Sequence, residues 1–69
     1  MPLISNKIAE LRKPTKTSQA ELAEAVGVTR QTIISLENGK YIASLPLAFK
    51  IARHFELKIE EVFEEVENG

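Results

Sequence analysis

Residues 18–40, SQAELAEAVGVTRQTIISLENGK, decide how this chain folds. Ser18 and Glu21 have the spacing of a capping box: the hydroxyl accepts from a free amide of the first turn and the carboxylate reaches back to the serine amide. Gln19–Val26 follows, rich in the good helix formers Ala, Glu and Leu. Gly27 stands where so short a helix must end, because glycine enters the left-handed backbone region cheaply. Thr29 is placed to cap the next helix, which runs through Ile33 and Leu36 and stops at Asn38-Gly39. The stretch therefore reads as two short helices joined by a tight glycine turn.

Ala20, Leu22, Ala23, Val26, Val28, Ile33 and Leu36 supply small or apolar side chains where the two helices would face one another, and Ala23 permits a close approach. The outward side of the later helix then carries Thr29, Arg30, Gln31, Thr32, Ile34 and Ser35, with no acid before Glu37. An arginine can make a bidentate contact to guanine, a glutamine can pair with adenine, and a small apolar group can cover a thymine methyl. Such a face suits the major groove of duplex DNA, which admits one α-helix. Donors for phosphates flank it. Gln19 opens the earlier helix, where free amides and the dipole attract an anion. Asn38, the Gly39 amide and Lys40 close the later one, with Tyr41, Arg12 and Lys13 as additions.

Helical spacing continues on both sides. Leu3/Ile4, Ile8 and Leu11 recur at three- and four-residue steps, which predicts a first helix over about Asn6–Lys13 stopped by Pro14. Leu3-Ile4 is equally compatible with a short strand. Ser44 caps a fourth helix with Pro46 in its first turn and an apolar stripe of Leu47, Ala48, Ile51, Ala52 and Phe55. Leu57-Lys58-Ile59 leads into a fifth, with Glu60 and Glu61 near its positive end and Val62, Phe63 and Val66 on its apolar side. The expectation is one all-α domain over residues 1–69, with five helices.

The composition narrows function further. Sixty-nine residues allow one small domain, and 43% hydrophobic residues can fill its core. Without cysteine there is no disulfide and no thiolate chemistry, which fits a reducing, cytoplasmic setting. No run approaches the roughly 20 apolar residues that span a bilayer, so no membrane partner is expected. The net charge of −1 hides an asymmetry. Residues 1–53 hold eight Lys and Arg against four Glu, a balance of +4, whereas residues 54–69 hold Lys58 against six Glu, a balance of −5. The local field, more than the total, governs docking on phosphates. His54 is the lone histidine and aspartate is absent, so neither a metal site nor a Ser/His/Asp triad is expected. No cofactor, small-molecule substrate or enzymatic activity is expected.

Residues SQAELAEAVGVTRQTIISLENGKYIASLPLAFKIARHFELKIEEVF, with Ile8 and Leu11 before them, resemble the Cro/lambda-repressor-type helix-turn-helix regulators, also called the xenobiotic-response-element family. The chain is most similar to their minimal, stand-alone bacterial and archaeal form. The resemblance implies a five-helix lambda-repressor-like domain whose third helix enters the major groove. It places Arg30, Gln31, Ile34 and Ser35 at base edges, and Gln19, Thr29, Asn38 and Lys40 near phosphates, to which the reading of the residues adds Arg12. It further implies a homodimer on a palindromic operator, joined through the fifth-helix region at Val62, Phe63 and Val66, and repression of transcription. A short N-terminal strand at Leu3-Ile4 occurs in some such proteins. The chain departs from the usual pattern with Lys16-Thr17 for a Gly-Leu pair and Ala43 for a frequent proline. It also has Glu56 for a glycine after the fourth helix and Lys58 for the Ser/Thr cap of the fifth. A competing expectation is a protein-interaction module, an antitoxin or transcription adaptor, working through the acidic C-terminal helix.

Overall fold

A computed structural model describes residues 2–67. Among them the chain runs β1 (Pro2–Asn6), α1 (Ile8–Thr15), α2 (Gln19–Val26), α3 (Arg30–Glu37), α4 (Leu45–His54), α5 (Ile59–Val62) and β2 (Phe63–Glu67). The five helices surround a core of Ile8, Leu22, Val26, Ile33, Leu36, Leu47, Ile51 and Val62, with Ala23 and Ala52 where helices approach closely. None of the helices is long and apolar enough to cross a membrane.

The caps read from the sequence are formed. Ser18 Oγ accepts from the Glu21 amide at 3.0 Å and Glu21 accepts from the Ser18 amide at 2.9 Å. The carboxylate of Glu21 is held below its usual range by those bonds to Ser18, backbone first. Thr29 Oγ1 and Ser44 Oγ accept from Thr32 and Leu47 amides at 3.2 and 3.3 Å. Gly27 closes α2 at φ 78°, its amide bonded to the Ala23 and Glu24 carbonyls.

Two expectations need correction. Pro14 does not stop α1, which runs to Thr15. A proline one residue from the end withdraws only one amide from the last turn. The helix is ended instead by Lys16 at φ 56°, whose amide bonds Arg12 and Lys13. The second correction concerns the C-terminus. Phe63 and Val66 lie on a strand, not on a fifth helix that extends past them, and α5 is a single turn of four residues. β2 pairs antiparallel with β1 in the register Leu3↔Val66, Ile4↔Glu65 and Asn6↔Phe63, and Lys7 N–H adds a bond to Val62 O at 2.9 Å. An isolated helical turn is weak, whereas the extended chain gains a ladder across the whole length of β1. Leu3-Ile4 thus takes the strand alternative. No acidic C-terminal helix exists for a partner to bind among the described residues.

Asn6 knits these parts together. Its side-chain oxygen accepts from the Ile8 amide at 3.2 Å, and its amide nitrogen donates to the Leu36 carbonyl at 2.9 Å. The strand, the start of α1 and the last turn of α3 are held by one side chain.

Candidate nucleic-acid interface

The surface of interest starts from α3. Ile33 and Leu36 are fully buried against the other helices. A helix turns about 100° per residue, so Gln31 points away from the core, with Ile34 and Ser35 on either side and Arg30 toward one margin. Arg30 and Gln31 are exposed, and Ile34 and Ser35 are partly exposed. Thr29, Gln31, Thr32, Ser35, Lys40 and Tyr41 line one shallow, open depression. The start of α3 and the loop after it are therefore one continuous surface. Asn38 and Lys40 stand exposed at its end, positioned by Gly39 at φ 74° and by the Lys40 amide on the Ser35 carbonyl at 2.9 Å.

A polar cluster that the sequence does not announce fixes the near end of α2. The Arg12 guanidinium binds Glu37 through both oxygens, Nε to Oε2 at 2.7 Å and Nη2 to Oε1 at 2.9 Å. Its Nη1 donates to the Thr17 carbonyl at 3.0 Å, and Gln19 Nε2 donates to Glu37 Oε1 at 3.0 Å. The pair is largely covered, with 17% and 9% of the Arg12 and Glu37 side chains exposed. Burial pushes the Glu37 carboxyl up, but the bonds from Arg12 and Gln19 and the arginine charge outweigh it and hold it below its usual range. Arg12 is raised by its bond to the same carboxylate. Three of the five guanidinium N–H groups of Arg12 are thus spent inside the protein. Glu37 is the centre of this cluster, a position the sequence hides. Its one local signal is a carboxylate in the last turn of a helix, where the dipole disfavours it unless a cation answers it.

The structure does not bring the expected dimer residues together on a surface. Val62 is 1% exposed and belongs to the protomer's own core, so it offers a second copy nothing to touch. Phe63 packs partly on that core from β2, and Val66 is exposed farther along the strand.

Two short helices joined by a glycine turn, the later one free of acids until Glu37 in its last turn and framed by polar donors, define a helix-turn-helix unit set in a lambda-repressor-like bundle. The chain belongs to the helix-turn-helix family, whose pattern it matches over residues 8–62. It is 50% identical over 60 residues to an uncharacterized HTH-type transcriptional regulator, YgzD, of Bacillus subtilis, spanning 87% of this chain and 91% of that protein. A protein of Methanothermobacter thermautotrophicus with the same description is 54% identical over 63 residues, 90% of this chain and 91% of its own. One from Archaeoglobus fulgidus is 54% identical over 57 residues, 83% and 80% of the two chains.

Proposed function

We propose that this protein is a sequence-specific DNA-binding transcriptional regulator, a repressor that binds a palindromic operator as a homodimer with α3 in the major groove. The observation that carries the reading is the exposed face of α3, where Gln31, Ile34 and Ser35 stand outward with Arg30 at the margin and Lys40 closes the same surface. Arg30 and Gln31 supply the bidentate donors that read guanine and adenine, and Ile34 and Ser35 fill the space between base edges. Thr29, Asn38 and Lys40 take phosphates on one side. On the other, Gln19 offers its remaining amide hydrogen and the free amides of the first turn of α2. Arg12 serves mainly to neutralise Glu37, which in turn holds Gln19, and touches phosphate through its two spare N–H groups. The helix-turn-helix family and relatives described as transcriptional regulators support the same reading. Repression follows from steric exclusion at a promoter, which needs no surface beyond this one.

The test is selection of bound sequences from a random duplex pool, then titration of the selected site at two salt concentrations. A palindromic consensus with half-site centres about 34 Å apart is expected. Enrichment of no sequence would refute the reading.

A further inference from the structure

The helices α1, α2, α3 and α4 end in the same backbone turn. Each is followed by one left-handed residue: Lys16 at φ 56°, Gly27 at 78°, Gly39 at 74° and Glu56 at 58°. The next amide then reaches back five positions, Thr17 to Arg12, Val28 to Ala23, Lys40 to Ser35 and Leu57 to Ala52, at 2.9–3.1 Å. This is the Schellman ending, whose left-handed position favours glycine because a Cβ there crowds the following carbonyl. Glycine fills it after α2 and α3. Lys16 and Glu56, each standing where glycine is usual in the helix-turn-helix pattern, hold it under strain. The two carry opposite charges, so the turn itself does not call for a cation.

The turn at Lys16 is fixed from several sides. The Thr15 hydroxyl donates to the Arg12 carbonyl at 3.0 Å and, with its one proton so used, accepts from the Thr17 hydroxyl at 2.8 Å. The Thr17 carbonyl accepts from Arg12 Nη1 at 3.0 Å, and the same guanidinium grips Glu37 at the end of α3. The turn is thereby tied to the reading helix. Lys16 itself is exposed, and among the described residues its ammonium enters no salt bridge. Three positions on, Gln19 opens α2. The acids that could compete on this side are engaged, Glu37 with Arg12 and Glu21 with the Ser18 amide. We propose that Lys16 binds the DNA backbone, at the phosphate next to the one assigned to Gln19, an assignment that rests on the DNA-binding reading above. A strained lysine then has a use that an unstrained glycine cannot supply. Its ammonium meets phosphate as a point charge, and the fixed turn lessens the order lost on binding.

Titration of the selected operator and of a scrambled duplex at two salt concentrations tests this, with Lys16→Gln, Lys16→Gly and, as an equal change of charge elsewhere, Lys50→Gln on α4. Lys16→Gly relieves the left-handed strain and is expected to melt no lower than the wild type, so that lost binding is not lost folding. Each Lys16 variant should weaken binding by about 8-fold per half-site at about 0.1 M salt, the counterion release of one phosphate. Each should also flatten the slope of log K against log salt by about 0.9 per half-site. The loss should be equal on the two duplexes, because a phosphate carries no sequence. Lys50→Gln should change neither affinity nor slope. Affinity and slope left unchanged by both Lys16 variants would overturn the assignment, reduce Lys16 to a cation at a helix end and leave the regulator reading standing. A loss confined to the selected operator would overturn it as well, by making Lys16 a reader of bases. A wild type that binds neither duplex would overturn the assignment and the regulator reading together.

Discussion

Glu37 is a carboxylate on the side of the molecule proposed to face phosphates, and Arg12 neutralises it there. Three donated hydrogen bonds converge on its two oxygens, two from Arg12 and one from Gln19. Arg12→Ala leaves a mostly covered carboxylate without its cation. It is expected to cost about 1–3 kcal/mol of stability and to weaken DNA binding by exposing negative charge and freeing Gln19; urea unfolding and operator titration read the two effects. The pH dependence has a definite sign. Because Glu37 titrates lower in the folded chain than in the unfolded one, the unfolded state binds the proton first. Its contribution is fully present above the ordinary glutamate value of about 4.3 and is lost as pH falls through the lower folded value. Thermal melts from pH 7 to pH 3 should therefore fall more steeply for the wild type than for Glu37→Gln. At the reading face, Arg30→Ala or Gln31→Ala should each cost about 1–3 kcal/mol on the preferred operator and relax preference at one base pair. An unchanged affinity for Arg30→Ala would remove that residue from the face.

Among the elements, the α4–α5 corner is the least well served by its sequence. Glu56 sits at φ 58°, a left-handed conformation that costs a residue with a Cβ roughly 1–2 kcal/mol. Lys58 precedes α5 without an acceptor to offer its amides, so only half of a capping box forms, the Lys58 amide on Glu61 at 2.9 Å. Glu56→Gly is expected to stabilise by up to about 1 kcal/mol, less than the strain removed because glycine costs more entropy to order. Lys58→Ser should add about 0.5–1 kcal/mol by completing the cap. For a domain of this size, 1 kcal/mol appears as a rise of about 4–8 °C in Tm. Calorimetry of both variants showing no rise would mean that the corner is held by Val62 and β2 rather than by its own turn chemistry.

Over the whole molecule, charge is divided between a basic body and an acidic tail. Glu64 and Glu65 end up on β2, in the small sheet at the C-terminal end of α3 rather than beside its outward face. DNA affinity should therefore fall steeply with salt, with a slope of log K against log salt near −0.9 per phosphate neutralised. Lys40→Gln should flatten that slope by about one unit per half-site and weaken all sequences alike, unlike the base-reading variants. A slope unchanged by Lys40→Gln would show that the loop after α3 stands clear of the backbone.

Much of this was legible in the residues themselves. Ser18, Gly27, Thr29, Ser44 and Gly39 act through bonds to neighbours within a few positions, so α2, α3 and α4 and the outward face of α3 follow from local chemistry alone. What tertiary structure decided is everything that depends on residues far apart. Pairing between residues 2–6 and 63–67 turned Phe63 and Val66 from a helix into a strand, because a ladder with β1 outweighs one more helical turn. Val62 became core rather than surface because α5 is a single turn that presses it inward. Arg12 met Glu37 across 25 positions, and only the closing of α1 on α3 puts a cation beside that carboxylate. Local hydrogen bonds and periodicity are written along the chain, while the choice among competing long-range partners is made only when the chain folds back on itself.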